Sequence, residues 1–149
     1  NNKYHGWNDE YYHSTGHDPA SGSDKNKTAI GIRTWWRPLE TGTLIPSVSL
    51  GYDRTNHVDS PATSNQSTAW FTGLTWQDAF QADDRIGVAF GQPTKNEDET
   101  TDPFAFEMYY SFKVNDSMTV TPAYFSNSAR SGTEGDDVSG VVLNTEFKF

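Results

Sequence analysis

The sequence predicts an all-β chain: an antiparallel up-and-down meander of about seven to eight strands, part of a transmembrane β-barrel. Three observations predict it. Apolar and polar residues alternate with period two in block after block, as a sheet with two different faces requires. The tail VSGVVLNTEFKF, residues 138–149, alternates to its end and closes on Phe149 in the apolar row, where a barrel places an aromatic at the membrane edge. The segments between blocks alternate long and short, as in a barrel with one ragged and one trimmed rim.

Taken in order, residues 1–12 read as the end of a strand, supported by Tyr4, Trp7, Tyr11 and Tyr12. Residues 13–26 are loop by composition. Thus 1–26 is a ragged strand end with an outer loop, and 27–149 is the strand meander. The first full strand spans about 27–38. Ile30, Ile32, Thr34 and Trp36 share one face, against Gly31, Arg33, Trp35 and Arg37. A short turn, LETGT, leads to a strand over about 44–53. There Val48, Leu50 and Tyr52 alternate with Ser49, Gly51 and Asp53. After a polar loop, residues 68–80 set Trp70, Thr72, Leu74 and Trp76 against Phe71, Gly73, Thr75 and Gln77.

The tight turn QADD precedes a strand over 85–92, with Ile86, Val88 and Phe90 apart from Gly87, Ala89 and Gly91. An acidic loop follows. Residues 104–114 place Phe104, Phe106, Met108, Tyr110 and Phe112 opposite Ala105, Glu107, Tyr109, Ser111 and Lys113. The short turn NDS leads to a strand over 118–126. A last long loop leads to the terminal strand, with Val141, Leu143, Thr145 and Phe147 against Val142, Asn144, Glu146 and Lys148.

Composition narrows the function. Hydrophobic residues are 34% of the 149 and aromatics 14%, which suits strands with one apolar face. No run approaches the ~18 apolar residues of a membrane helix. The net charge of −9 argues against nucleic-acid binding. Without cysteine there is no disulfide framework and no thiolate metal site.

The polar parity carries too many charges for a dry core. A water-filled lumen removes that cost, so Arg33, Arg37, Asp53, Arg85, Glu107, Lys113, Glu146 and Lys148 are the candidate pore-lining residues. They either set a field for permeating solutes or merely pair with one another along the wall. Trp36, Trp70, Trp76, Phe112, Phe147 and Phe149, with Phe80, fall near strand ends as membrane belts require. The acidic runs at Glu97, Asp98, Glu99 and Asp102, and at Glu134, Asp136 and Asp137, lack calcium-loop spacing and read as solvated charge. His5, His13 and His17 show no shared facing, so no metal or cofactor is expected. His57 sits in a loop near Asp53 and Asp59 without a nucleophile motif, and no catalytic residue is assigned.

The blocks GIRTWWRPLETGTLIPSVSLGYD, FTGLTWQDAFQADDRIGVAFGQP and EMYYSFKVNDSMTVTPAYF, with the tail VVLNTEFKF, occur in that order. Together they resemble the C-terminal barrel segment of cyanobacterial outer-membrane porins, in the OprB-type carbohydrate-selective superfamily with its iron-uptake group. The resemblance covers roughly residues 27–149. It implies a barrel of about sixteen strands, a homotrimer in the cell outer membrane, and passive diffusion of small hydrophilic solutes or inorganic ions. The partners implied are outer-membrane lipids and the solutes themselves. By strand count the chain reads as about half of such a porin. Two other readings stand beside it: a soluble β-sandwich that binds carbohydrate through exposed Trp and Tyr, and a small structural outer-membrane barrel without a pore.

Overall fold

Period-two patterning gives seven strands: β1 (Asn26–Trp36), β2 (Ser47–Val58), β3 (Gln66–Gln77), β4 (Arg85–Asn96), β5 (Phe104–Asn115), β6 (Met118–Ser128) and β7 (Val138–Phe147). The computed structural model describes residues 26–58, 66–97, 99–129 and 134–149. The expected strand end at 1–12, the three histidines His5, His13 and His17, Asp59 and Asp98 lie outside them. The strands form one sheet in the order β1-β2-β3-β4-β5-β6-β7, every neighbour antiparallel. β1 and β7 make no contact, so the described sheet is open.

The register is staggered. One row of cross-strand partners runs Trp36, Val48, Leu74, Val88, Met108, Tyr124, Val141. It starts on the last residue of β1. It ends on Val141, with residues 142–147 of β7 still to come. Strands that slide past one another in this way are tilted, which closure of a sheet into a barrel needs.

The faces follow the parity. The apolar row joins Ile32, Leu50, Leu74, Val88, Met108 and Leu143; the opposite face joins Arg33, Asp53, Gly73, Ala89, Glu107 and Asn144. Among the described residues nothing covers either face. Among the described residues the only buried hydrophobic side chain is Ala129, while Val141 is 76% and Leu143 69% exposed. A sandwich core needs a second sheet packed about 10 Å away. The described residues form only one sheet.

The strand centres lie where the pattern places them, but the ends differ. Strand two begins at Ser47, not 44, because Pro46 has no N–H for the ladder. It then continues to Val58, so His57 is in a strand and not in a loop. β4 runs past the expected 92 to Asn96, through a bulge: Thr68 pairs with Lys95 and Trp70 with Gln92, so Pro93 and Thr94 of β4 stand against Ala69 alone. The connections are therefore 37–46, 59–65, 78–84, 97–103, 116–117 and 129–137. They do not alternate long and short as expected. The polar runs 54–58 of β2 and 93–96 of β4 carry no apolar row and read as loop, yet both extensions stay paired with their neighbours.

The 37–46, 78–84 and 116–117 connections still share one edge of the sheet with the end of β7, which we call the turn edge. The opposite edge is the loop edge.

Candidate functional site

The polar face is built from cross-strand pairs of one small and one large residue. Gly51 on β2 faces Phe71 on β3, Gly87 on β4 faces Tyr109 on β5, and Gly140 on β7 faces Phe125 on β6. In each pair the ring lies across the glycine. A Cβ at Gly51 would stand 2.1 Å from Phe71, at Gly87 2.1 Å from Tyr109, and at Gly140 2.8 Å from Phe125. The missing side chain lets each ring lie along the wall instead of standing up from it.

Charges on this face divide by position. Arg33 reaches Asp53 on the next strand at 2.5 Å and stands 5.5 Å from the centre of the Phe71 ring. Lys113, near the end of β5, pairs with Asp83 of the 78–84 connection at 2.7 Å. Both pairs are half open to solvent, so each stabilises by well under ~1 kcal/mol. Arg85, Glu107 and Glu146 take the same face. Arg37 and Lys148 do not share the strand wall. Both lie past strand ends at the turn edge. Arg37 helps line a hollow of about 450 Å³ between the 37–46 connection and the polar face, together with Trp35, Glu40, Ser47, Thr75 and Gln77.

The turn edge is held by a carboxylate that the sequence does not single out. Asp84 is fully buried. It accepts hydrogen bonds from the amides of Ala79 (2.7 Å), Phe80 (3.0 Å) and Gln81 (3.1 Å), and from the Tyr110 hydroxyl (2.9 Å). Burial pushes its carboxyl up, but the Tyr110 hydroxyl and the three amides outweigh burial and hold it below its ordinary 3.8. Asp78 is also held low, first by a hydrogen bond from Thr41 and then by the backbone of Asp83. Its carboxylate accepts from the Asp83 amide at 2.7 Å. Asp78 and Asp83 themselves adopt positive φ, 55° and 66°, and the carboxylate bonds hold that backbone in place. The neighbouring connections are tied in as well: the Gly42 amide donates to the Gln77 carbonyl, and the Trp76 indole donates to the Leu44 carbonyl.

The proposed belt residues gather mostly at this edge. Trp36 ends β1, Trp76 and Phe112 lie near the ends of β3 and β5, Phe147 ends β7, and Phe149 follows it. Phe80 packs edge-on to Tyr110, which stacks on Phe112 at 5.3 Å. Phe147 stacks on Phe149 at 6.5 Å, and the Lys148 amide between them donates to the Ser117 carbonyl. Trp70 is the exception. β3 starts at Gln66, so Trp70 sits inside its strand, opposite Tyr52.

The acidic loops act locally. Lys95 pairs with Asp102, and Asp137 accepts from the Ala129 amide at 2.9 Å, where φ is 50°. Among the described residues no group of His, Asp or Glu side chains could hold a metal ion. No family model, curated protein or solved structure matches this chain.

Proposed function

We propose that this chain is a stretch of the wall of an outer-membrane porin, through which small hydrophilic solutes or ions diffuse passively. One observation carries the reading: a single staggered sheet with an uncovered apolar face and an uncovered charged face. In water, the exposed row through Ile32, Leu50, Leu143 and Phe147 would be a large aggregation-prone patch. Against lipid it is stabilised, and the aromatic cluster at the turn edge falls at the headgroup level. The charged face then meets water, where Arg33–Asp53 and Glu107 need no dry partner. In the full-length protein the open edges at β1 and β7 are closed by further strands, and about sixteen strands give an aqueous lumen.

The seven described strands leave β1 and β7 running in the same direction. Two copies joined around a common barrel axis would therefore meet in a parallel pair. An all-antiparallel barrel needs an odd number of added strands, which favours completion by other strands over completion by a second copy of this sheet.

The test is single-channel recording of the full-length protein in planar bilayers. Stepwise, ohmic conductance is expected. Insertion without conductance would overturn the pore and leave a structural barrel.

A further inference from the structure

The ion pairs of the polar face leave one interior carboxylate out. Arg33 is closed on Asp53, and Lys113 on Asp83. Arg85 opens β4 and Glu146 precedes the last residue of β7, so both stand at the turn edge. Glu107 is different. Among the described residues it is the one charge on this face that lies well inside its strand without an ion pair.

Its surroundings are small. Its cross-strand partners are Ala89 and Phe125, and Ala105 and Tyr109 share its face along β5. The two rings turn aside. Tyr109 lies across Gly87 on β4, and Phe125 lies across Gly140 on β7. Glu107 is exposed, with Ala89 opposite and Ala105 beside it on this face, and the Tyr109 and Phe125 rings lie along the face towards β4 and β7. The third ring of this kind, Phe71, already has a cation beside it, the Arg33 guanidinium. The same chemistry is thus satisfied internally at Phe71 and left open at Glu107.

We infer that Glu107, with Tyr109 and Phe125, forms the cation-attracting point of the channel wall, and that its preferred ligand class is the organic ammonium ion. A single carboxylate does not supply the several oxygens that a divalent metal needs. A carboxylate beside aromatic rings attracts weakly hydrated ammonium groups through charge and ring quadrupole together. The inference rests on the porin reading.

The experiment is bilayer recording of the full-length protein with reversal potentials measured at about 0.1 M salt, where the Debye length is about 10 Å. The unaltered channel should prefer cations. Glu107→Gln should lower the cation-over-anion permeability ratio about twofold or more, and the difference should shrink at about 1 M salt, where the Debye length is about 3 Å. Glu107→Asp should restore the preference. Phe125→Leu should keep the charge preference and weaken block by tetramethylammonium. Glu146→Gln, at the turn edge, should matter less than Glu107→Gln. Channels whose ion preference is unchanged in Glu107→Gln would overturn this inference and leave the porin reading intact. Absence of conductance in the unaltered protein would overturn both.

Discussion

Asp84 is the residue whose role the sequence conceals most. Three aspartates, Asp78, Asp83 and Asp84, fall in one connection, and all look like ordinary turn acids. Only the fold shows that Asp84 is enclosed, because Tyr110 of the apolar row arrives from β5 and three amides converge on it. The strand parity that marks residues elsewhere stops at Gln77, so no period reaches Asp84. Its linkage has a definite sign. A carboxyl held below 3.8 in the folded state stabilises that state fully above the unfolded value, and the contribution is lost as pH falls through the folded one. Asp84→Ala should therefore lower resistance to urea at neutral pH. It should also flatten the loss of stability seen on acidification below about pH 4. Equal acid sensitivity in both proteins would remove Asp84 from this role.

The glycines are equally specific. A Cβ at Gly91 would meet the Trp70 carbonyl at 2.2 Å and the Phe71 Cα at 2.7 Å, both backbone atoms that cannot swing aside. Gly91→Ala should destabilise the folded protein by about 1–3 kcal/mol in urea titrations. At Gly73 the nearest atom is 3.7 Å away, so Gly73→Ala should fall within about 1 kcal/mol of the unaltered protein.

Strand centres were legible because each side chain there answers to a face. Ile30, Ile32 and Trp36 in β1, or Val141, Leu143 and Phe147 in β7, alternate without interruption. Strand ends were not legible. Residues 54–58 of β2 and 93–96 of β4 continue as strand through backbone pairing alone, and a polar run on a paired strand looks the same in sequence as a loop. Pro46 acts in the other direction and shortens β2 at its start. Of the candidate site, the wall residues within strands were readable from parity. Arg37 and Lys148 were not, because parity keeps counting after the strand has ended.

The terminal strand is held at its foot by the Lys148–Ser117 backbone bond and by the stacking of Phe147 on Phe149. Deleting Phe149 removes the stack and one aromatic from the turn edge. The deletion should reduce the fraction of full-length protein that folds into liposomes, read as heat-modifiable migration in a gel. Undiminished assembly would show that Phe149 has no part in it.

At the scale of the whole molecule, the sheet has no dry core of its own. Among the described residues an apolar row runs across one face of β1 to β7 and most strand charges take the other; Arg54, opposite Ile30 and Thr68, and Lys95, opposite Thr68, fall on the apolar face towards the loop edge. Both faces are open among the described residues. In the proposed porin wall, one face of this sheet meets hydrocarbon and the other meets water. The proposed membrane wall is compatible with 34% hydrophobic residues, because the apolar residues occupy every second position and the average conceals them.

Spin labelling tests this directly, since the chain has no cysteine of its own. Single cysteines carrying a nitroxide are placed in turn through 141–146 of β7 and 105–110 of β5, in the full-length protein reconstituted into liposomes. Collision with lipid-soluble oxygen should peak at Met108, Val141, Leu143 and Thr145. Collision with a water-soluble nickel chelate should peak at Glu107, Tyr109, Val142 and Asn144, the two profiles alternating residue by residue in antiphase. Two profiles in phase, or a nickel profile equally high at every position, would contradict the account.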